Sequence, residues 1–267
     1  MKISVLISVY QKTTFKEFHK SFSSIICQTK KPDEIIIIFD GMVNFDIRFF
    51  LKNRQNVKII QNSGNLGLGK SLCIGLKYCN ADIVIRQDSD TYNHKKRFFY
   101  IWKNLRFSKN KIVGSYMVEK NINNSYQHIR KVPLTQSKIY SSLNYKNSFN
   151  HPAIGFNLRA IKKIGNYESM LFFEDYFLWL KAKKKNLLVK NISKILVYTY
   201  IDNNFFYRRL GIVYYKHYLK FMKSAYQKKY INLFFLFLNL IIRLPLTFLN
   251  VAYLKFLYKF FLRIKLY

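Results

Sequence analysis

The chain has 267 residues, 50% of them hydrophobic, and carries 46 Lys and Arg against 13 Asp and Glu, for a formal net charge of +33. This length and apolar content exclude a disordered chain and allow one large or two small domains around a buried core. The charge indicates an anionic partner, namely nucleic acid, an anionic membrane surface or a phosphate-bearing substrate, although a genome rich in lysine codons would raise the charge without any selected patch.

Two features bear on the cellular compartment. Cys27, Cys73 and Cys79 form no CxxC pair, and an odd number of cysteines without framework spacing indicates thiols in a reducing compartment. The opening residues, MKISVLISVY, contain an apolar run too short and too strand-like for a signal peptide. Together they predict a cytoplasmic protein.

The chain begins with a predicted strand and helix. Residues 3–9, ISVLISV, form a β-branched apolar run typical of a buried strand. Thr14 and Glu17 then have capping-box spacing at the start of a helix, and Pro32 follows its end. One face of this helix carries Phe15, Phe18, Phe22, Ile25 and Ile26.

Three further apolar runs predict strands. They are EIIIIFDG at 34–41, VKII at 57–60 and DIVIRQ at 82–87, and a helix is predicted at 68–79. Strands that alternate with helices indicate right-handed βαβ units and a parallel sheet. Ligands of such sheets bind beyond the carboxyl ends of the strands, where Asp40 and Asp88 fall.

The middle of the chain is less regular. A helix is predicted near 94–107 and a strand at 111–118, whereas the polar Asn/Ser/Lys-rich residues 119–149 indicate surface loops and short strands. From about Asn204 the composition becomes aromatic and basic. We therefore predict a boundary there.

Asp88-Ser89-Asp90 closes the fourth predicted strand. Two carboxylates at i and i+2 can converge on one cation, and hard oxygen ligands suit Mg²⁺ or Mn²⁺. The alternative is a turn in which Asp and Ser make local hydrogen bonds. Considered alone, the DxD pattern is weak and the turn is favoured.

Several motifs recur in one order along the chain. They are SVYQK, QTKKPDEIIIIFDG, NSGNLGLGKSLCIGL, RQDSD, FNHPAIGF and FFEDYFLWL. In this the sequence resembles the GT-A-type glycosyltransferases of family 2, bacterial enzymes that build surface polysaccharide, over roughly residues 1–200. The resemblance implies an α/β GT-A fold, a Rossmann-like, mixed but mainly parallel sheet flanked by helices, followed by a helical basic-aromatic tail.

This resemblance also implies a domain organisation. Residues 1–204 would form the catalytic domain, with a nucleotide-sugar half at about 1–118 and an acceptor half at about 119–204. Residues 205–267 would form a helical, membrane-associating region.

For the donor nucleotide, the resemblance implies that Ser8, Tyr10 and Asp40 line the base and ribose. Phe39 stands where many relatives have a second aspartate. Asn65 and Gly67 would hold a loop against the nucleotide, with Lys70 near the donor. For the glycines, a plain tight turn is an equally good interpretation.

For the diphosphate, the resemblance implies that Asp90 is the metal-proximal acid and Asp88 its partner or a ribose contact. Thr91 stands where the family often has a further aspartate, which leaves open the carboxylate that binds the ion directly. Arg86 would pair with Asp88 or a phosphate. His151 would lie at the floor of the donor site, near the diphosphate.

Glu174-Asp175 offers a general base. Sugar transfer requires an acceptor hydroxyl to lose a proton, and a positioned carboxylate can accept it. The aromatic neighbours in FFEDYFLW would raise a carboxylate pKa. The resemblance implies Asp175 as base and Glu174 as a contact that steers the acceptor; from the residues alone, an acidic helix start is favoured.

The C-terminal region raises the question of a membrane. Its cleanest apolar run, Ile231–Ile242, has 12 residues, about 18 Å of helix against a bilayer core of roughly 30 Å, and is too short to span it. Arg243 and Pro245 interrupt the run. The following basic residues, interleaved with aromatics as in an interfacial helix, are Lys255, Lys259, Arg263 and Lys265. A helical pair packed on the catalytic domain is the alternative.

The resemblance thus implies an inverting, metal-dependent hexosyltransferase that uses Mn²⁺ or Mg²⁺. It would move a sugar from a nucleotide-diphosphate donor, expected to be a UDP-sugar, to a lipid-linked glycan acceptor in lipopolysaccharide, capsule or exopolysaccharide biosynthesis. It would be cytoplasmic and peripheral on the inner membrane surface, with no nucleic-acid partner.

Two other interpretations remain. A nucleic-acid-binding protein would explain the positive charge, but clustered acids would repel phosphates. A membrane-tethered binding module that has lost activity is left open by Phe39 and Thr91.

Overall fold

The computed structural model describes residues 1–121, 127–201, 203–253, 256 and 264–265. In these ranges the strands are β1 (Ile3–Tyr10), β2 (Glu34–Asp40), β3 (Val57–Gln61), β4 (Ile83–Asp88), β5 (Thr91–Asn93), β6 (Ile112–Asn121), β7 (Gln127–Arg130), β8 (Gly155–Asn157), β9 (Val189–Ile201) and β10 (Ile264–Lys265). The helices are α1 (Phe15–Ile26), α2 (Phe45–Leu51), α3 (Leu68–Tyr78), α4 (Arg97–Arg106), α5 (Gln136–Ser142), α6 (Leu158–Lys163), α7 (Glu174–Lys184), α8 (Asn203–Tyr207), α9 (Gly211–Gln227) and α10 (Leu233–Phe248), with a 3₁₀ turn at His151–Ala153.

The strands form one mixed sheet in the order β10-β7-β6-β8-β4-β1-β2-β3, and β9 pairs with β5 and β6. The longest ladders are parallel: β1 with β2 and β4, β2 with β3, and β6 with β9. The short strand β8 runs antiparallel between β4 and β6 and joins the two halves of the sheet. The predicted α/β fold, a mixed and mainly parallel sheet flanked by helices, is confirmed.

The N-terminal predictions agree closely with the structure. The predicted strands at 3–9, 34–41, 57–60 and 82–87 correspond to β1 to β4. Thr14 caps α1 through a capping box with Glu17, as predicted. The prediction that Ile26 belongs to the apolar face of α1 is wrong, because Ile26 is exposed at the end of the helix whereas Ile25 is buried.

The polar middle segment contains more regular structure than predicted. Strand β6 continues to Asn121, and helix α5 forms within residues 119–149, which were predicted as surface loops and short strands. Seven residues with Ile139 as the buried apolar side chain give little periodicity to detect. Ser142 and Ser148 are buried and bonded to each other, so polar residues here lie inside the protein.

Two apolar clusters cover the two faces of the sheet. Alternate residues of β1 point to opposite sides, as the two-residue period of a strand requires. Ile3, Val5 and Ile7 pack with Phe18 and Phe22 of α1. On the other face, Leu6 packs with α3, α7 and α9 in a second cluster. The sheet is therefore buried on both sides, as expected for parallel strands with crossover helices.

The C-terminal helix α9 packs against α7. Phe221 of α9 stacks on Phe173 at 4.9 Å between ring centroids and belongs to the same cluster as α7. The predicted apolar run lies largely in α10, which packs on α9. Within the described residues, none of the helices combines the length and apolarity needed to cross a bilayer. The basic-aromatic stretch with Lys255, Lys259 and Arg263 lies outside the described residues.

Candidate active site

The carboxyl ends of three neighbouring strands bring the predicted donor residues together. In the parallel register, Ser8 of β1 lies beside Asp88 of β4, and Tyr10 lies beside Asp40 of β2. Burial, together with the negative charges of Asp90 and Asp88, raises the pKa of Tyr10, while Arg208 opposes this shift. These residues therefore share one edge of the sheet.

Asp40 shapes the loop that precedes α3. Its buried carboxylate accepts hydrogen bonds from the backbone N–H groups of Leu66, at 2.7 Å, and Gly67, at 2.9 Å. Asn62 donates a third at 3.0 Å. Gly67 has a φ of 84°, a conformation that favours glycine, and Asn65 Oδ1 accepts from its N–H at 3.2 Å. Asp40 thus fixes the conformation of the loop that is expected to touch the nucleotide. Lys70 is exposed in the first turn of α3.

The DxD turn is held by a network of polar side chains. The carbonyl oxygen of Asp88 accepts hydrogen bonds from Ser21 Oγ at 2.8 Å and from Thr91 Oγ1 at 3.3 Å. Gln87 Nε2 donates to Thr91 Oγ1 at 2.9 Å. Thr91 therefore closes the turn as a buried hydrogen-bonding residue.

Two buried arginines lie beneath this turn. Arg86 is 1% exposed and forms an ion pair with Asp88, while its Nε and Nη1 have no hydrogen-bond partner among the described residues. Arg97 donates to the Arg86 carbonyl oxygen and to Gln87 Oε1, each at 2.7 Å. Burial, and then the charge of Arg86, lowers the pKa of Arg97 to about 9. The two guanidinium groups give the site a positive floor.

Asp90 is open to solvent at the top of the turn. Desolvation by the surrounding protein, and then the negative charge of Asp88, raises the pKa of Asp90 to about 7, while the charge of Arg86 opposes the shift. No group of three or more His, Cys, Asp or Glu side chains that could hold a metal is found in the described ranges. Mg²⁺ in enzymes is held by one or two carboxylates plus substrate phosphates, and Asp90 with Asp88 fits that mode.

Glu174 and Asp175 begin α7, so they also meet the description of an acidic helix start. Asn147 Nδ2 donates to Asp175 Oδ2 at 2.6 Å and orients the carboxylate. Burial raises the pKa of Asp175. Burial, and then the charge of Asp175, raises the pKa of Glu174 to about 7. Asn147 was missed from the sequence, because it lies in the segment predicted as loops.

His151 is buried and shares a hydrogen bond with Tyr167, with 2.9 Å between Nε2 and the phenol oxygen. Burial, with a smaller contribution from Arg86, holds the pKa of His151 well below its ordinary value. The imidazole is therefore neutral near pH 7. Tyr167 is a second residue that sequence reasoning missed.

Arg86 relates these groups to one another. Its positive charge opposes the rise in the pKa values of Asp90, Glu174 and Asp175 and contributes to the low pKa of His151. The DxD turn and the start of α7 therefore both lie near enough to this buried guanidinium group for its charge to act on them. The structure brings together acids that lie about 90 residues apart in the sequence.

Gly69 allows α3 to approach the start of α7. A Cβ atom at this position would lie 2.8 Å from the Glu168 carbonyl oxygen and 3.1 Å from Glu174 Cβ. The first distance is shorter than real Cβ contacts and the second is tight, so a side chain at this position would force α3 or its neighbours to move. Glycine at this position thus lets α3 pack closely against the start of α7.

Comparison with known proteins identifies the family of this chain. The family model described as "Glycosyl transferase family 2" matches residues 4–165. The chain therefore belongs to glycosyl transferase family 2 and is a glycosyltransferase.

Two curated relatives align over nearly their whole length. An "Uncharacterized glycosyltransferase" of Haemophilus influenzae is 32% identical over 272 residues, covering 98% of this chain and 100% of the relative. The "UDP-Gal:alpha-D-GlcNAc-diphosphoundecaprenol beta-1,3-galactosyltransferase" of Escherichia coli is 33% identical over 265 residues, covering 97% and 95%. Neither the family match nor these two relatives support the interpretation of the chain as a nucleic-acid-binding module.

Among solved structures, TarS residues 1–349 of S. aureus share the fold. The crystal structure with UDP-GlcNAc has a TM-score of 0.60 at 21% identity, covering 75% of this chain and 59% of that chain. The structure of the same fragment without a named ligand has a TM-score of 0.62 at 18% identity, covering 98% and 73%. The GT-A-like fold implied by the sequence motifs is confirmed.

The close contact at Gly69 yields a prediction. Gly69→Ala would push α3 away from Glu168 and Glu174, and misplacement of a site by a fraction of an ångström should lower kcat/KM by about tenfold or more. Gly64→Ala is the control, because a Cβ at Gly64 meets nothing within 4 Å. Steady-state transfer kinetics and thermal unfolding would be measured for both. Unchanged kcat/KM in Gly69→Ala would contradict the proposed alignment of the two halves.

Proposed function

We propose that this enzyme transfers a hexose from a UDP-sugar to a lipid-linked glycan, with inversion at the anomeric carbon, during surface polysaccharide synthesis. The observation that carries the proposal is the convergence of Asp88, Asp90, Glu174 and Asp175 around Arg86. The Escherichia coli relative supports it, since its name specifies a UDP-sugar donor and a diphosphoundecaprenol-linked acceptor. The Erwinia amylovora relative, 28% identical over 216 residues, is named for amylovoran biosynthesis.

The strand-end residues would bind the donor nucleotide. Ser8 and Tyr10 would contact the base and ribose, together with the loop of Asn65 and Gly67 that Asp40 supports. Lys70 would approach the donor from the exposed first turn of α3. Asp40 would line the base and ribose as well, with acceptor capacity left beyond the three hydrogen bonds that it accepts from the protein.

Arg86 would bind the donor diphosphate. Its Nε and Nη1, which have no hydrogen-bond partner in the described part of the chain, are charge-assisted donors of the kind that a phosphate oxygen accepts. His151, neutral and bonded to Tyr167, would line the floor beside it. Asp90, with Asp88, would hold a Mn²⁺ or Mg²⁺ ion, which supplies charge neutralisation for the departing diphosphate.

Asp175 would act as the general base. Its carboxylate would accept the proton of the acceptor hydroxyl as the hydroxyl oxygen bonds to the anomeric carbon. The bond from that carbon to the diphosphate breaks on the opposite face, so a single displacement inverts the configuration. Asn147 orients the base, in the manner of a third group in a catalytic triad, and Glu174 would steer the acceptor.

The outer face of α10 would dock on the inner membrane surface. The side chains that this helix buries fully are the polar Asn239 and Thr247, whereas Phe237 and Ile241 are 57% and 68% exposed. An exposed apolar face next to the lysine-bearing helix α9 is the arrangement of an interfacial helix on anionic lipid. The enzyme would then work peripherally on the cytoplasmic face, beside its lipid-linked acceptor.

The metal assignment is tested by Asp90→Asn. Transfer from a panel of UDP-sugars to GlcNAc-diphosphoundecaprenol should require Mn²⁺ or Mg²⁺ and should fall about a hundredfold in the variant. Calorimetry should show that Mn²⁺ no longer strengthens UDP binding. Asp46→Asn, at an exposed acid of α2, is the control. Full activity of Asp90→Asn at saturating Mn²⁺ would refute the assignment.

The base is tested by Asp175→Asn and Glu174→Gln with pH profiles. Below pH 7 the raised pKa values keep the carboxyl pair partly protonated, so wild-type kcat/KM should rise as pH increases through about 7. Asp175→Asn should lose transfer by about a thousandfold and keep UDP affinity. Glu174→Gln should mainly raise the acceptor KM. The reverse outcome would assign the base to Glu174.

The membrane face is tested by a double variant, Phe237→Ser with Ile241→Ser. Since these side chains would leave water on docking, the variant should bind anionic vesicles at least about tenfold more weakly. Added salt should weaken wild-type binding only in part, because apolar burial is not screened. The control replaces Phe45 and Phe49 of α2, which are at least as exposed, by Ser. Equal vesicle binding by all three proteins would exclude α10 as the docking face.

A further inference from the structure

An open basic cleft lies outside the site described above. It is formed where the C-terminal ends of α7 and α9 meet the start of α10, and its volume is about 610 Å³. Its lining includes Asn144, Lys183, Tyr226, Lys229, Tyr230 and Leu233. Amines, phenols and an amide thus line the cleft together with an apolar side chain from the start of α10.

The cleft has positive charge without a matching carboxylate. Neighbouring Lys181 and Lys228 both form ion pairs with Glu168. In the parts of the chain that the structure describes, the ion pairs include neither Lys183 nor Lys229. Lys183 donates a hydrogen bond to the neutral Asn144 amide, and burial lowers its pKa. A half-buried ammonium group without a counter-charge would be stabilised by an anion bound beside it.

The proposed base and the cleft lie near the two ends of α7, and both contact the loop that contains Asn144 and Asn147. Asn147 bonds Asp175 near the start of the helix, and Asn144 bonds Lys183 near its end. At about 1.5 Å of rise per residue, these two helix positions are about 12 Å apart. That separation matches one sugar ring followed by a diphosphate.

An apolar path leads from the cleft to the proposed membrane face. Leu233, at the edge of the cleft, is 48% exposed, and Phe234 and Phe237 continue the exposed apolar surface along α10. A ligand that fits both regions carries a phosphate group joined to a long hydrocarbon. Inorganic diphosphate would use the lysines but would leave this apolar surface uncovered.

We propose that this cleft binds the diphosphate of the lipid-linked acceptor, with Lys183 and Lys229 holding its phosphates and α10 guiding its hydrocarbon chain into the bilayer. This assignment rests on the proposed function, because it takes the acceptor hydroxyl to lie at Asp175. The cleft would select acceptors by their lipid diphosphate, separately from the sugar that receives the transfer.

The first test compares Lys183→Gln/Lys229→Gln with the control Lys184→Gln/Lys185→Gln. The control removes the same charge from exposed lysines at the same end of α7. With GlcNAc-diphosphoundecaprenol, the cleft variant should show a KM raised by about tenfold or more, since it loses two charge-assisted contacts. With octyl GlcNAc, which lacks the diphosphate, both variants should match wild type. Equal KM values for the lipid diphosphate acceptor would overturn the assignment.

The second test does not depend on catalysis. Phosphatidylcholine vesicles with and without undecaprenyl diphosphate would be used, and UDP affinity would verify that each variant is folded. The diphosphate lipid should strengthen wild-type and control binding but not binding of the cleft variant, and millimolar inorganic diphosphate should not abolish the gain. The proposal would be overturned if the cleft variant showed the same gain. It would also be overturned if inorganic diphosphate abolished the gain of the wild-type protein. Absence of transfer to any lipid acceptor would instead reject the proposed function, and the vesicle result would still decide the role of the cleft.

Discussion

The ion pair between Arg86 and Asp88 is the interaction on which the DxD turn and the candidate active site depend. Burying a guanidinium group is costly unless it is paired and hydrogen-bonded. Asp88 provides the opposite charge, and the turn that carries Asp88 is held by Ser21, Gln87 and Thr91. Arg97, behind the strand, binds the Arg86 carbonyl oxygen. The geometry of the DxD turn is therefore a consequence of how a buried cation is accommodated.

The same cation sets the electrostatic balance of the site. Glu174 and Asp175 are partly or fully buried side by side, which favours their protonated forms. The positive charge of Arg86 lowers the pKa of both acids and of Asp90, which opposes the effect of burial. The carboxyl groups can therefore still exchange protons near neutral pH. The acids of the two distant segments can lie near each other because the positive charge of Arg86 offsets part of their mutual repulsion.

The sequence allowed the framework to be predicted better than the details of the site. Apolar periodicity located β1, β2, β4 and α1, and the edge with Asp40 and Asp88 followed from parallel strand geometry. The partners Asn147 and Tyr167 were missed, because a hydrogen bond between segments far apart in the chain leaves no periodic pattern. Asp40 was placed at the correct edge, but its bonds to the backbone of the loop depend on a turn conformation that composition does not specify.

Asn239 determines how α10 is rotated about its own axis. The helix is apolar on most sides, so hydrophobicity alone does not distinguish an inner from an outer face. The buried Asn239 amide donates to the Asn144 carbonyl oxygen at 2.7 Å and accepts from the Tyr218 hydroxyl at 3.2 Å. Any rotation would leave these groups unpaired in the interior, at a cost that exchange of one apolar side chain for another does not carry. One polar residue thus gives a nearly featureless helix a defined orientation.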